Sequence, residues 1–226
     1  MMVHYVRAPL MVIQGYQELL KDDDEKLLNQ EYATYVDEAM TGTATVIRMV
    51  NTLYDIDALE GGTADLHFEW RDLAAMAQRA LSSLGPAPTP AEVQWALPDL
   101  PLQVNVDAKL MERVMANLIG HAVRQTPGDG VVRIAMNRED GFARVEVSDG
   151  GTVIPPDQQE QVFEKFGQVQ AWKQREVYSM GLGLAFCKLA VEVHGGQIGL
   201  KAKTDGQGNT LWFTLPVNDD KERDGQ

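Results

Sequence analysis

The sequence predicts an α-helical hairpin followed by an α+β sandwich. Three observations carry that prediction. A heptad seam runs through Val36, Ala39, Thr43, Val46, Val50 and Leu53, spaced 3, 4, 3, 4 and 3 apart. Gly61-Gly62-Thr63 then breaks the helical period. Beyond that break, short β-branched and aromatic runs alternate with amphipathic helical stretches, the signature of a sheet with helices packed on it.

Taken in order, residues 4–21 read as a first helix, kinked near its start because Pro9 removes a backbone donor. Residues 21–26 are a charged connector, and a second helix runs from about Asn29 to Leu59. Thr43 is the one polar member of its seam. Two helices joined by a short loop make an antiparallel hairpin, and a lone hairpin cannot bury both apolar faces. The expectation is a homodimer through residues 4–59, a four-helix bundle. The hairpin takes residues 1–60, a linker and first strand residues 61–70, the α+β part residues 71–217, and residues 218–226 form a polar tail expected to be disordered.

Within the α+β part, Leu66–Trp70 is the first strand, and Asp72 opens a helix to Leu84. A Pro-rich loop at 85–92 precedes strands Val93–Leu97 and Leu102–Val106. Asp107 caps a helix to about Gln125. Val131–Asn137 and Ala143–Ser148 pair around Glu139-Asp140-Gly141. A helix from Gly181 to Val193 is followed by strands Gln197–Lys203 and Thr210–Leu215 around Asp205-Gly206. About five strands with helices on one face result.

Composition excludes several classes. A net charge of −13 over 226 residues repels nucleic acid and anionic membrane. No run of 18 apolar residues exists, and residues 1–15 lack a signal-peptide pattern. The lone Cys187 forbids an internal disulfide, which fits a reducing cytoplasm, and its apolar neighbours make it a small buried hydrophobe. Metal clusters of Cys and His, a G-x-x-x-x-G-K-[ST] loop and a G-x-S-x-G elbow are absent from the sequence.

Five short motifs remain, in a fixed order: His4-Tyr5-Val6-Arg7-Ala8-Pro9-Leu10, Asn117-Leu118-Ile119-Gly120-His121-Ala122, Asp149-Gly150-Gly151 with Ile154-Pro155, Val162-Phe163-Glu164-Lys165-Phe166, and Gly181-Leu182-Gly183-Leu184. In this order and spacing the chain resembles the core of a sensor histidine kinase from two-component signalling, over roughly residues 3 to 216. The resemblance implies the ATP-binding fold shared by histidine kinases, Hsp90-type chaperones and type II topoisomerases. It implies ATP and Mg²⁺ as cofactors, a response-regulator receiver domain as partner, and a cytoplasmic location with the sensor module supplied upstream or by another chain. His4 lies only three residues from the start, so the chain reads as a piece of a longer protein or a short product relying on another sensor.

Residue by residue, the resemblance makes His4 the phosphoacceptor and matches Arg7, Pro9 and Leu10. Tyr5 stands where the family carries the acidic base. A phenol with a pKa of about 10 is a poor base at neutral pH. Ala8 replaces the Thr or Asn that positions water for dephosphorylation. Asn117, His121 and Arg124 lie on the helix that would face the phosphates. His121 replaces an Asn that is a direct ligand of Mg²⁺, and imidazole suits that hard ion poorly. Asp149 would accept a hydrogen bond from the adenine amino group, and Gly151 would allow close backbone approach. Val153 replaces a glycine, with strain expected if that position needs a left-handed backbone. Phe163 and Phe166 would pack the root of a lid at 167–180. Gly181, Leu182, Gly183 and Leu184 would open a helix whose free amides hold the triphosphate. Ser179 replaces a further glycine, and His194 ends that helix structurally. His67 has no partner legible in the sequence. Two readings stay open: a kinase of low activity, and a catalytically degenerate scaffold that dimerises and docks signalling partners.

Overall fold

The computed structural model describes residues 10–18 except 12 and 16, then 30–84, 92–167, 181–203 and 206–217. His4, Tyr5, Arg7, Ala8, Ser179, the connector at 21–26 and the tail at 218–226 lie outside the described residues. The chain forms two compact units, Met1–Ala58 and Leu59–Gln226.

The first unit is helical wherever it is described, and α1 spans Gln30–Glu60. Threonines sit badly in a helix interior unless their hydroxyls find a partner. Thr41, Thr43, Thr45 and Thr52 each donate to the carbonyl four residues back, to Asp37, Ala39, Thr41 and Arg48, at 2.8–2.9 Å. Thr43 therefore brings no unsatisfied hydroxyl to the seam. Val46 of that seam is 40% exposed. Among the described residues no helix is long and apolar enough to cross a membrane.

In the second unit β1 (Phe68–Asp72) pairs antiparallel with β3 (Gln103–Asp107) in a two-stranded sheet of their own. Each strand ends on the N-cap of a helix. Asp72 accepts from the amides of Ala75 and Leu102 and starts α2 (Leu73–Ser83); Asp107 accepts from the amide of Leu110 and starts α3 (Ala108–Gln125). β2 (Glu92–Ala96), β4 (Val131–Glu139), β5 (Phe142–Ser148), β6 (Ile198–Ala202) and β7 (Asn209–Pro216) form the main sheet, in the order β2-β4-β5-β7-β6. β2 runs parallel to β4, and the other neighbours are antiparallel. The β4–β5 turn places both Asp140 (φ 49°) and Gly141 (φ 79°) in the left-handed region, as a type I′ hairpin requires.

The core lies between the main sheet and the helices α2, α3 and α4 (Gly183–Val193). Val132, Ile134, Val145, Val147, Leu211 and Phe213 face Met111, Val114, Met115, Leu118, Phe186 and Val191, all buried. On the opposite side of the sheet Arg144 stacks 4.4 Å over Trp212, and Gly199 leaves room for that indole.

Three expectations need correcting. The strands divide into a five-stranded and a two-stranded sheet, because β1 and β3 pair only with each other. β1 begins and ends two residues later than Leu66–Trp70, since its register with β3 runs through to Asp72. The helix expected from Gly181 begins at Gly183, because Gly181 is left-handed (φ 67°) and cannot join it.

Candidate nucleotide-binding site

α3 forms one wall of the site, with Asn117, His121 and Gln125 one turn apart along it. The Asn117 carboxamide is half-buried, and its Nδ2 donates to the Gly183 carbonyl at 3.4 Å. His121 is only 4% exposed, and Arg124 points to solvent. At the end of α3 Thr126 is buried; its hydroxyl donates to the Ala122 carbonyl at 2.8 Å and accepts from the Gly150 amide at 3.0 Å. That hydroxyl fastens the helix end to the turn following β5.

The turn itself is built around Asp149, which is 1% exposed. Its Oδ1 accepts from the amides of Gly151 at 2.7 Å and Asn209 at 3.2 Å. Its backbone amide donates to the Asn209 carbonyl at 2.9 Å. The Asn209 side chain then holds the rest of the turn: Oδ1 accepts from the Ile154 amide and Nδ2 donates to the Thr152 carbonyl, both at 2.9 Å. Asp149 Oδ2 is buried and has no hydrogen-bond partner among the described residues. Burial raises the Asp149 carboxyl above its ordinary range. The Gly151 amide, the nearby His121 imidazole and Asn209 pull it down but do not win.

Gly151 is required by space, since a Cβ there would lie 2.9 Å from the Gln125 carbonyl oxygen and 3.0 Å from the Gln125 Cβ. Its backbone approaches the end of α3. Val153 is not in the left-handed region, so the strain that a glycine replacement raised does not arise.

The opposite wall is the start of α4. Gly181 lies where the chain returns from the undescribed segment 168–180, and its carbonyl accepts from the Phe166 amide at 3.1 Å. A Cβ on Gly181 would come within 2.8 Å of the Gly167 carbonyl oxygen. Leu182 and Leu184 are buried, so only their backbone can meet a ligand. No side chain among the described residues caps α4, which leaves its first amides for other acceptors. The aromatic pair behaves unequally. Phe163 is buried, whereas Phe166 is 55% exposed and left-handed (φ 61°); the lid segment 168–180 they were expected to root lies outside the described residues.

Two residues outside the site act as read from the sequence, and one gains an additional role. Cys187 is fully buried, and burial pushes its thiol up to about 12. His194 ends α4, and its ring also accepts from the Asp107 amide through Nε2 at 2.9 Å while Nδ1 lies 2.6 Å from the Ala190 carbonyl. That geometry needs the neutral tautomer with its proton on Nδ1. His67, without a legible partner in the sequence, has Asp65 beside its ring at 3.4 Å, and its backbone amide donates to Asp107. Thr126 and Asn209 were not legible as site residues. A Thr-Pro pair after a helix reads as a stop signal, and Asn209 lies 60 residues from the carboxylate it holds.

The family profile of the histidine kinase-, DNA gyrase B- and HSP90-like ATPases matches residues 106–219, from α3 through β7. The chain belongs to this family. Within it the relatives are sensor kinases. The circadian input-output histidine kinase CikA of Synechococcus elongatus is 31% identical over 95% of this chain, and the sensor histidine kinase WalK of Bacillus subtilis is 29% identical over 98%. This chain spans 29% and 36% of the lengths of those two proteins. The crystal structure of full-length ShkA in complex with AMPPNP superposes with a TM-score of 0.78 at 25% identity, over 95% of this chain and 44% of that one. The Acinetobacter baumannii histidine kinase AdeS shares the fold at 18% identity, with a TM-score of 0.68 over 96% of this chain and 98% of that one. The chain carries the ATPase domain of two-component sensor kinases.

The ATPase family implies adenine nucleotide and a divalent cation, and the two fit this chain differently. The buried, unpartnered Asp149 Oδ2 is the acceptor that an exocyclic amino group needs. The donors at the other end fit Mg²⁺ poorly. Asn117 offers one carboxamide oxygen, while His121 offers a nitrogen to an ion that demands oxygen and is almost wholly covered.

Proposed function

We propose that this chain is the dimerisation and ATP-binding core of a sensor histidine kinase, working at reduced rate. The observation that carries the nucleotide assignment is the Asp149 carboxylate, buried with one oxygen committed to Gly151 and Asn209 and the other left for a ligand. Thr126 and Asn209 hold the carboxylate and its turn in one place before any ligand arrives, which is preorganisation. The α4 amides receive the phosphates. The His4 imidazole nitrogen attacks the γ-phosphorus, the bond to the ADP oxygen breaks, and the imidazole proton leaves. The phosphoryl group then passes to an aspartate of a response-regulator receiver domain. Tyr5 cannot take that proton efficiently, and loss of a general base lowers the rate by ~10²–10⁴. Support for His4, Tyr5 and Arg7 in these roles is the motif they form in the sequence.

The homodimer rests on the α1 seam, where Val46 is exposed in the single chain. Val46→Asp separates the two copies in sedimentation by placing an unpaired charge in the interface.

The test of the kinase is incubation with γ-labelled ATP followed by acid treatment. Acid-labile label on the chain that disappears in His4→Ala supports it. The scaffold reading is favoured by one specific observation, the covered imidazole at 121. It predicts no label, whether or not nucleotide binds, even when Tyr5→Glu and His121→Asn are combined. The kinase reading predicts a gain of on the order of 10² or more from that pair, acting non-additively because both changes bear on one transition state.

A further inference from the structure

We propose that this site holds adenine nucleotide without a divalent cation, with His121 occupying the place a metal-binding side chain would take. The inference rests on the nucleotide reading above and extends it to the phosphate end.

Four observations converge. First, His121 lies on the wall of α3 that faces the site, one turn from Asn117 and one from Gln125, and is only 4% exposed. A metal bridging phosphates needs a ligand that reaches the open part of the cleft. Second, the end of α3 lies against the base-binding turn, since Thr126 bonds the Gly150 amide and Gln125 leaves no room for a Cβ on Gly151. His121 lies one turn earlier on the same helix, with Asp149 within electrostatic reach. Third, Asn117 donates to the Gly183 carbonyl, which ties its carboxamide to the α4 wall. One carboxamide oxygen alone is a weak purchase for an ion that keeps near-ideal octahedral oxygen coordination. Fourth, among the described residues no group of three or more His, Cys, Asp or Glu side chains is placed to hold a metal ion elsewhere. The base end needs no metal, because its partners are main-chain amides and the side chains of Thr126 and Asn209.

A site of this kind has a distinct signature. Mg²⁺ in solution only competes for the phosphates and contributes nothing inside the cleft, so added Mg²⁺ leaves affinity unchanged or weakens it. Calorimetric titration of the full chain with ATP and with ADP, once in Mg²⁺ and once in EDTA, reads this directly. We expect Mg²⁺ to tighten binding by less than about threefold for the chain as it stands, and by about tenfold or more in His121→Asn, which returns an oxygen ligand. Tightening of the unmodified chain by Mg²⁺ beyond about threefold overturns the inference while leaving the nucleotide reading intact. Absence of binding in both buffers overturns the nucleotide reading itself, and this inference with it. The unmodified chain alone decides between these outcomes, so the result does not depend on His121→Asn folding.

Discussion

The two ends of the cleft are built to different standards. At the base end, the amides of Gly150, Gly151, Ile154 and Asn209 all have partners within 3.2 Å, and the buried Asp149 Oδ2 has no hydrogen-bond partner among the described residues. At the end proposed for the phosphates, Asn117 makes a long bond of 3.4 Å, His121 is covered, and no side chain among the described residues caps the first amides of α4. Base recognition is a matter of buried hydrogen-bond complementarity, where one missing partner is expensive. Phosphate handling is a matter of charge, and charge can be supplied by peptide dipoles when a metal ligand is lost. The two ends therefore answer to different physics, which is what the proposed ion-free site exploits.

The largest expected effect comes from removing the residue that holds the base end. Asn209→Ala strips partners from the Ile154 amide and the Thr152 carbonyl, and should lower unfolding free energy by about 2–4 kcal/mol in a denaturant titration. An effect under about 1 kcal/mol would mean the turn is held elsewhere, and the contrast between the ends would collapse.

Asp149→Asn comes next. It puts a donor where the ligand's amino group needs an acceptor, and should weaken ATP binding by about a hundredfold or more in calorimetry. Affinity retained within a few-fold would show that the base does not meet this residue.

Thr126→Val keeps the shape and removes both hydroxyl bonds. The Gly150 amide then loses its acceptor, and affinity should fall about tenfold with the fold intact by circular dichroism. An equal loss on changing Asn117→Ala would erase the asymmetry between the ends.

The smallest effect concerns neither end directly but the junction that starts α3. Burial depresses His194 below its ordinary 6.5, against the opposing influences of the Ala190 carbonyl and Asp107. The folded state thus binds the proton less readily than the unfolded chain. Stability is complete above pH 6.5 and is lost as pH falls from there through the lower folded-state value. His194→Gln should flatten that slope, seen as a smaller fall in melting temperature from neutral to acid pH than in the unmodified chain. A slope unchanged in the variant would place the titrating group elsewhere.

Much of this architecture was legible in the sequence because the signals were local. Asp107 and the amphipathic period bound α3, and Asp140-Gly141 dictated its own turn. The β4–β5 pair followed from alternation. What failed to show was long-range or depended on depth. Nothing near Asn209 says that it serves a carboxylate 60 residues earlier. The parallel pairing of β2 with β4 is invisible in a five-residue strand. The apolar stripe of α3 read as Leu110, Val114, Leu118 and Ala122 with His121 beside it. In the fold the buried face also takes in Met111, Met115 and Ile119, and it swallows His121. Phe166 read as a partner of Phe163 at a lid root, and its exposure was not legible. A left-handed backbone held by the Gly181 carbonyl turns it outward.

The solitary cysteine has a practical consequence. A thiol fully enclosed between helices, with ionisation pushed up to about 12, is deaf to maleimides and nitroxide reagents at neutral pH. The chain is thus a ready single-label background. A cysteine placed at the exposed Glu160, beside Phe163, would be the one reactive handle on the molecule. Fluorescent or paramagnetic reporters could be attached there without first deleting Cys187, whose removal would open a void in the packing.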